Sequence, residues 1–311
     1  MSSRRPKSRP ASSGRGFAVI LLGLLAAGAA VYLSCLTRGS EETPPKSPSS
    51  SAKRPERHGT SPKPGRHEPS TQPPSQGRVT TEHAHQGARI ALVIDDLGHS
   101  TTEVEEIEGL GVTITYAVLP YEEETAAVVA ELRGRGEEIL CHLPMEPEGA
   151  NDPGPGALRS AMTDDELEVA SERALAEIPG AVGVNNHMGS ELSADRRAMR
   201  PVLQLLARRH LFYLDSRTSP KSVGYRMAIE LGIPAAERQV FLDGAQSPEA
   251  IRAQFARLLD LARKRGAAIA IGHPHPTTLA VLADEIPKAK AQGFEFVPVS
   301  YLLDTPGNLP E

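Results

Sequence analysis

The chain has 311 residues, 39% of them apolar but only 4% aromatic and none Trp, enough for one large core or two modest ones but poor material for a long aromatic platform. Its formal net charge of −5 divides unevenly, because residues 1–88 carry thirteen Lys/Arg against five Glu, a balance of +8, leaving −13 for residues 89–311. A body this acidic, without a basic stripe, argues against nucleic acid as its partner. The two cysteines, Cys35 and Cys141, lie far apart, so no disulfide framework or Cys-x-x-Cys site is expected.

Residues 1–16 form a basic tail containing Arg4, Arg5, Lys7, Arg9 and Arg15. The uncharged stretch 17–37 that follows is long enough, at about 1.5 Å per residue, to cross a hydrocarbon core of roughly 30 Å. It predicts a single-pass anchor with the tail cytoplasmic and the carboxy-terminal body exported to a periplasmic or extracytoplasmic space. A cleaved signal peptide, leaving a secreted body, is the alternative. Residues 38–88 contain nine prolines and almost nothing to seed a core, which predicts a disordered Pro/Ser-rich linker. Its histidines, His58, His67, His83 and His85, have no spacing that pre-forms a metal site.

From Arg89 onward, short apolar runs alternate with helical patterns. The runs cover 89–94, 112–118, 137–141, 181–185, 211–214, 239–242, 267–271 and 294–299. They are continuous where a half-exposed strand would alternate, which suits strands covered on both faces in a parallel sheet. Thr163-Asp-Asp-Glu166 has the form of a capping box, with Leu167, Ala170, Ala174 and Ile178 at helical spacing behind it. Ser247-Pro248 places a cap and a first-turn proline ahead of a helix running to about Arg265. The body, 89–311, is therefore expected to be α/β: a distorted or incomplete (β/α) barrel with seven to eight parallel strands. No glycine-rich phosphate loop follows the first strand.

In a parallel barrel the carboxyl ends of the strands share one face, where reacting groups converge. Here those ends carry Asp95-Asp96, His142, Asn185-Asn186-His187, Asp215, Asp243 and His273-Pro-His275. Carboxylates and imidazoles gathered on one face suit a divalent metal, and the histidines favour Zn2+. An Asp after a strand is also a common cap, and Asp243, which could equally cap the Gly244 turn, is left out of the ligand set.

The runs IALVIDDLGHS, CHLPMEP, GVNNHMGS, YLDSRTS and AIAIGHPHP, in this order, resemble the divergent polysaccharide deacetylases. These are a branch of the metal-dependent carbohydrate esterases that remove N- or O-acetyl groups from chitin-like and peptidoglycan sugars. The resemblance spans about Arg89 to Leu303 and implies a distorted barrel of seven βα units holding a divalent metal, usually zinc. Position by position it implies Asp95 as catalytic base, Asp96 and His142 as metal ligands, and His273 as catalytic acid with Asp215 in support. Better-known deacetylases place a second His four residues after the first, where this chain has Glu146 following Pro144. His187, at the next strand end, is taken as the third ligand. Glu146 is the alternative ligand, or else a substrate contact on the loop 146–160. Asn186, Arg217 and His275 complete the expected substrate-binding set, with Arg217 either holding an anionic substrate group or pairing with Asp215.

The implied substrate is an envelope polysaccharide or amino sugar. Two other readings fit the same residues: a non-catalytic sugar- or peptide-binding module, in keeping with the low aromatic content and altered second motif, and a metal-dependent amidase acting on peptide stems. Bound metal together with acetate release separates the deacetylase from both.

Overall fold

A computed structural model describes residues 87–305. The basic tail, the apolar stretch 17–37 and all but the end of the linker lie outside the described residues. Among the described residues no helix is long and apolar enough to cross a membrane.

Nine strands form one parallel sheet: β1 (Arg89–Leu97), β2 (Thr115–Val118), β3 (Glu138–Met145), β4 (Gly183–Met188), β5 (Phe212–Asp215), β6 (Ala235–Glu237), β7 (Val240–Phe241), β8 (Ala267–Gly272) and β9 (Glu295–Phe296). The order is β6-β5-β4-β3-β2-β1-β8-β7, with β9 paired to β1 off this path. β8 runs along β1 from Arg89 to Ile94, so β9, at Arg89 and Ile90, shares the other edge with β2, which pairs from Val93 onward. The end strands β6 and β7 are separated by only Arg238 and Gln239 in the chain. Across that seam Arg238 N donates to Asp215 O (3.0 Å) and Gln239 N to Ile269 O (3.1 Å). The result is the expected incomplete barrel, its gap crossed by the chain itself and not by a strand ladder.

Alternation along the strands sorts their side chains into two cores. Ala91 and Val93, Ala117, Leu140, Phe212 and Leu214, Ala236, and Ile269 and Ile271 pack together inside the barrel. Their neighbours Ile90, Leu92 and Ile94, Tyr116 and Val118, Ile139 and Cys141, Val184, Tyr213, and Ala268 and Ala270 face outward into a larger core under the helices. That double burial explains the continuous apolar runs.

The crossover helices begin where their caps predict. Thr163 and Glu166 form the reciprocal box that starts the helix Asp164–Glu177, and Ser247 caps Pro248–Arg265 by accepting from Ala250 N. Three strands are shorter than their apolar runs (β2, β7 and β9), and β6 lies outside those runs. After β9 the chain crosses the amino-terminal end of the barrel. Val299 is buried in the inner core, its N–H donating to Thr115 Oγ1 (3.0 Å), and Asp304 pairs through its backbone with Ala235 of β6 in both directions.

Inner positions are matched in size across strands. A Cβ at Gly183 of β4 would stand 2.6 Å from the Phe212 ring on β5, so the absence of a side chain there makes room for the largest inner one. Gly183→Ala is expected to destabilise the protein by about 1–3 kcal/mol through overpacking, read as a lower denaturant midpoint at unchanged slope. An unchanged midpoint would mean that Phe212 has room to turn away.

Candidate active site

The inner registers continue past the apolar layer into polar residues. Ala91 and Val93 lead to Asp95, Leu140 to His142, Gly183 to Asn185 and His187, and Ile269 and Ile271 to His273. Simple alternation would aim Asp96 at the helices. Instead β1 carries a bulge between Ile94 and Leu97, and Asp96 adopts the left-handed conformation at φ 61°. One extra residue at this bend re-aims the second carboxylate towards the mouth, beside the first.

Asp96 meets two imidazoles there. Its Oδ1 lies 3.1 Å from His142 Nε2 and 2.8 Å from His187 Nδ1, and the two nitrogens are 3.2 Å apart. That oxygen is buried and makes no hydrogen bond. Burial alone would raise the Asp96 pKa, but the two imidazoles hold it far below the usual carboxylate range. One carboxylate oxygen and two imidazole nitrogens turned towards one point, with the oxygen otherwise unsatisfied, form a donor set that fits a divalent ion such as Zn2+.

Asp95 is 3% exposed. Burial raises its pKa against the opposing pull of His142 and His273, which moves a carboxylate towards the range useful to a general base. Its Oδ1 accepts from Asn185 Nδ2 (2.8 Å), and its Oδ2 lies 3.6 Å from His142 Nε2. Across the mouth, His273 Nε2 is 3.7 Å from Asp96 Oδ2, and its Nδ1 is 2.9 Å from Asp243 Oδ1. Burial works against the His273 imidazolium, but the Asp243 carboxylate outweighs it and pushes the pKa up to about 9.

The partner of His273 is thus Asp243, not Asp215. Asp215 follows the outward-facing Tyr213, and its carboxylate accepts from Arg217 N (2.8 Å), Ser222 Oγ (2.6 Å) and Tyr225 N (3.1 Å), fixing the loop after β5. Asp243 does more than serve a turn: it also accepts from His273 N (2.7 Å) and Thr278 Oγ1 (2.9 Å). Asn186 likewise points outward. Its amide ties Tyr213 Oη and Ser216 N to Met188 O, which occupies both ends and leaves nothing for a substrate. Glu146 is not drawn to the triad, since its Oε2 accepts from Ser160 N (2.6 Å) and so fastens the loop 146–160. The Arg217 guanidinium pairs with Glu237 (3.4 Å) and donates to Ser222 O (3.2 Å), and only the Arg217 backbone N–H meets the Asp215 carboxylate. His275 stacks on His273, with ring centroids 5.7 Å apart.

From the sequence, Asn185 and Asp243 stand at strand ends without a role in the site, and neither Arg238 nor Phe241 is singled out. Phe241 is 39% exposed, sits beside Ile271 in register and meets His273 edge to face. Arg238 lies over its ring, 4.7 Å from the centroid, while donating to Ser216 O (2.6 Å) and Arg217 O (2.9 Å). For Asn185 and Asp243 the missing signal was the inner register, which both residues occupy.

An incomplete parallel (β/α) barrel with paired aspartates after its first strand, and an Asp-backed histidine across the mouth, is a deacetylase-type scaffold. The profile of the divergent polysaccharide deacetylases matches residues 92–303, and the chain belongs to that family. An uncharacterized protein YibQ of Escherichia coli (strain K12) is 39% identical over 194 residues, which are 62% of this chain and 61% of that protein. An uncharacterized protein of Haemophilus influenzae is 37% identical over 202 residues, 65% of this chain and 72% of its own length. The match to the first of these relatives therefore spans about three fifths of its length. Among solved structures, the uncharacterized protein ATU2773 from Agrobacterium tumefaciens C58 superposes with a TM-score of 0.65 at 27% identity, covering 70% of this chain and 89% of that one.

The His273 and Asp243 contact has a measurable sign. An imidazolium whose pKa is raised from 6.5 to about 9 stabilises the folded state fully below the unfolded value, and this contribution is lost as pH rises through about 9. Asp243→Asn is expected to move the His273 titration, followed by NMR, to lower pH and to abolish that part of the alkaline loss of stability. An unmoved titration would show that another group sets the His273 charge.

Proposed function

We propose that the barrel is a metal-dependent deacetylase that hydrolyses N- or O-acetyl groups on an envelope polysaccharide or amino sugar. The observation that carries this reading is the meeting, at one mouth, of the Asp96, His142 and His187 donor atoms with a buried carboxylate on one side and an Asp-backed imidazole on the other. Membership of the deacetylase family supports the same chemistry.

Asp96, His142 and His187 would hold the ion, and Zn2+ suits their donors. A divalent ion in such a site supplies Lewis acidity, lowering the pKa of water and polarising an acyl carbonyl. Asp95, with Oδ1 engaged by Asn185, keeps Oδ2 available to take the proton from the attacking water. His273, with Nδ1 on Asp243, turns Nε2 to the mouth, and the Asp243 carboxylate favours its charged form, which could protonate the departing amine or alkoxide. Phe241 and His275 flank His273 and would border the sugar there. The uncharged stretch 17–37 behind a basic tail supports a membrane-anchored protein whose body is exported to where such polysaccharides lie.

Metal analysis of the purified chain, combined with acetate release from peptidoglycan and chitooligosaccharides, tests the reading. Asp96→Ala, His142→Ala and His187→Ala are each expected to lose bound metal, while Glu146→Gln retains it. Asp95→Asn keeps metal but loses about 10²–10⁴-fold in rate, because it removes only the base. Metal retained by His187→Ala and lost by Glu146→Gln would reverse the third-ligand assignment. Bound metal without acetate from any substrate would favour an amidase, and absence of metal a binding module.

A further inference from the structure

We propose that Asn185 is a positioning residue whose two amide ends serve two different parts of the reaction, the metal ligand His142 and the base Asp95. The inference rests on the metal-site reading above and extends it to a residue outside the donor set. Asn185 is fully buried on the inner face of β4 and pairs in register with His142 on β3. Its Nδ2 donates to Asp95 Oδ1 at 2.8 Å and reaches Ser216 Oγ at 3.4 Å. Its Oδ1 lies 2.8 Å from His142 Nδ1.

An amide offers donors at one end and an acceptor at the other, so its orientation is a choice between two arrangements. Asp95 makes the choice, because its Oδ1 stands where only the NH2 end gives a hydrogen bond. The oxygen end is then fixed against His142 and accepts from Nδ1–H. With that proton on Nδ1, Nε2 presents its lone pair to Asp96 and His187, as a metal ligand must. The reverse amide would set oxygen against the Asp95 carboxylate and NH2 against His142 Nδ1, forcing the imidazole proton onto Nε2 and closing that position to a metal. The base and the ligand are therefore wired through one side chain: the acceptor end of Asn185 sets the His142 tautomer and the donor end holds Asp95 in place. A residue that merely filled space would make neither demand.

Two substitutions separate the ends. Asn185→Leu removes both at similar volume, whereas Asn185→Asp keeps an acceptor for His142 Nδ1–H and replaces the N–H donor to Asp95 by a second carboxyl group, which repels the base or shares a proton with it. The experiment measures Zn2+ dissociation constants of the full chain by competition with a chromophoric chelator. It also measures kcat and KM for acetate release from N-acetyl chitooligosaccharides. Asn185→Leu is expected to weaken Zn2+ binding about 10–100-fold. Asn185→Asp is expected to bind Zn2+ at least as tightly as the wild type, yet to lose at least about 10-fold in kcat at little-changed KM, since the base then faces a second carboxyl group in place of an N–H donor. Wild-type Zn2+ affinity in Asn185→Leu, or equal weakening in both variants, would overturn the proposal. Should Asn185→Leu fail to fold, Asn185→Asp alone decides, because loss of metal or retention of kcat in that variant contradicts the division of labour. A wild-type chain that takes up no Zn2+ at all would instead overturn the metal reading itself.

Discussion

The period-two alternation of side chains along parallel strands is the constraint on which the rest of this structure depends. Once the sheet curls, every second residue of β1, β3, β4, β5 and β8 must face the same interior. The apolar members of that set fill it: Ala91, Val93, Leu140, Phe212, Leu214, Ile269 and Ile271. Where the strands run beyond the filled layer, the next inner residues are Asp95, His142, Asn185, His187 and His273. The site is the continuation of the core by other chemistry. The one exception, Asp96, reaches the mouth only because a bulge and a left-handed backbone break the alternation at that point. Backbone strain of about 1–3 kcal/mol is tolerated there because the surrounding β-structure fixes both flanks.

Gathering carboxylates and imidazoles in a partly buried mouth is costly unless each finds a counterpart. Asp243 is satisfied by three hydrogen bonds, and its charge favours the His273 imidazolium. Asp95 has one oxygen on Asn185 and the other near His142. Asp96 Oδ1 is the member left without a hydrogen bond, and it is the atom around which both imidazole nitrogens turn. The polar groups thus divide into those already paired by protein and a single point that a cation would complete.

Much of this was legible in the sequence. Continuous apolar runs gave away strands buried on both faces, and the caps at Thr163 and Ser247 located their helices. The polar residues behind the runs located the mouth, and with it the meeting of Asp96, His142 and His187. What escaped was the facing of individual residues. Asp215 lies one step from the inner Leu214 and so falls on the helix side, where it anchors a loop, and Asn186 lies one step from Asn185 with the same result. Asp243 follows a strand of two residues, too short for alternation to be read without its neighbour β8. β6 and β9 are likewise brief, and pairing with strands distant in sequence, not local propensity, brings them into the sheet.

In the proposed reading, the barrel mouth holds one divalent ion on Asp96, His142 and His187. A second cluster, Asp243, His273 and His275, also brings ligand-type atoms within 4.8 Å of one another, but there Asp243 is already satisfied by hydrogen bonds and His273 is proposed for proton transfer. Anomalous diffraction from crystals of the protein grown with Zn2+ distinguishes the two directly. A single strong peak enclosed by Asp96, His142 and His187 is expected, with Asp243 still bonded to His273. A peak seated on Asp243, His273 and His275, or no ordered ion at the mouth, would contradict it.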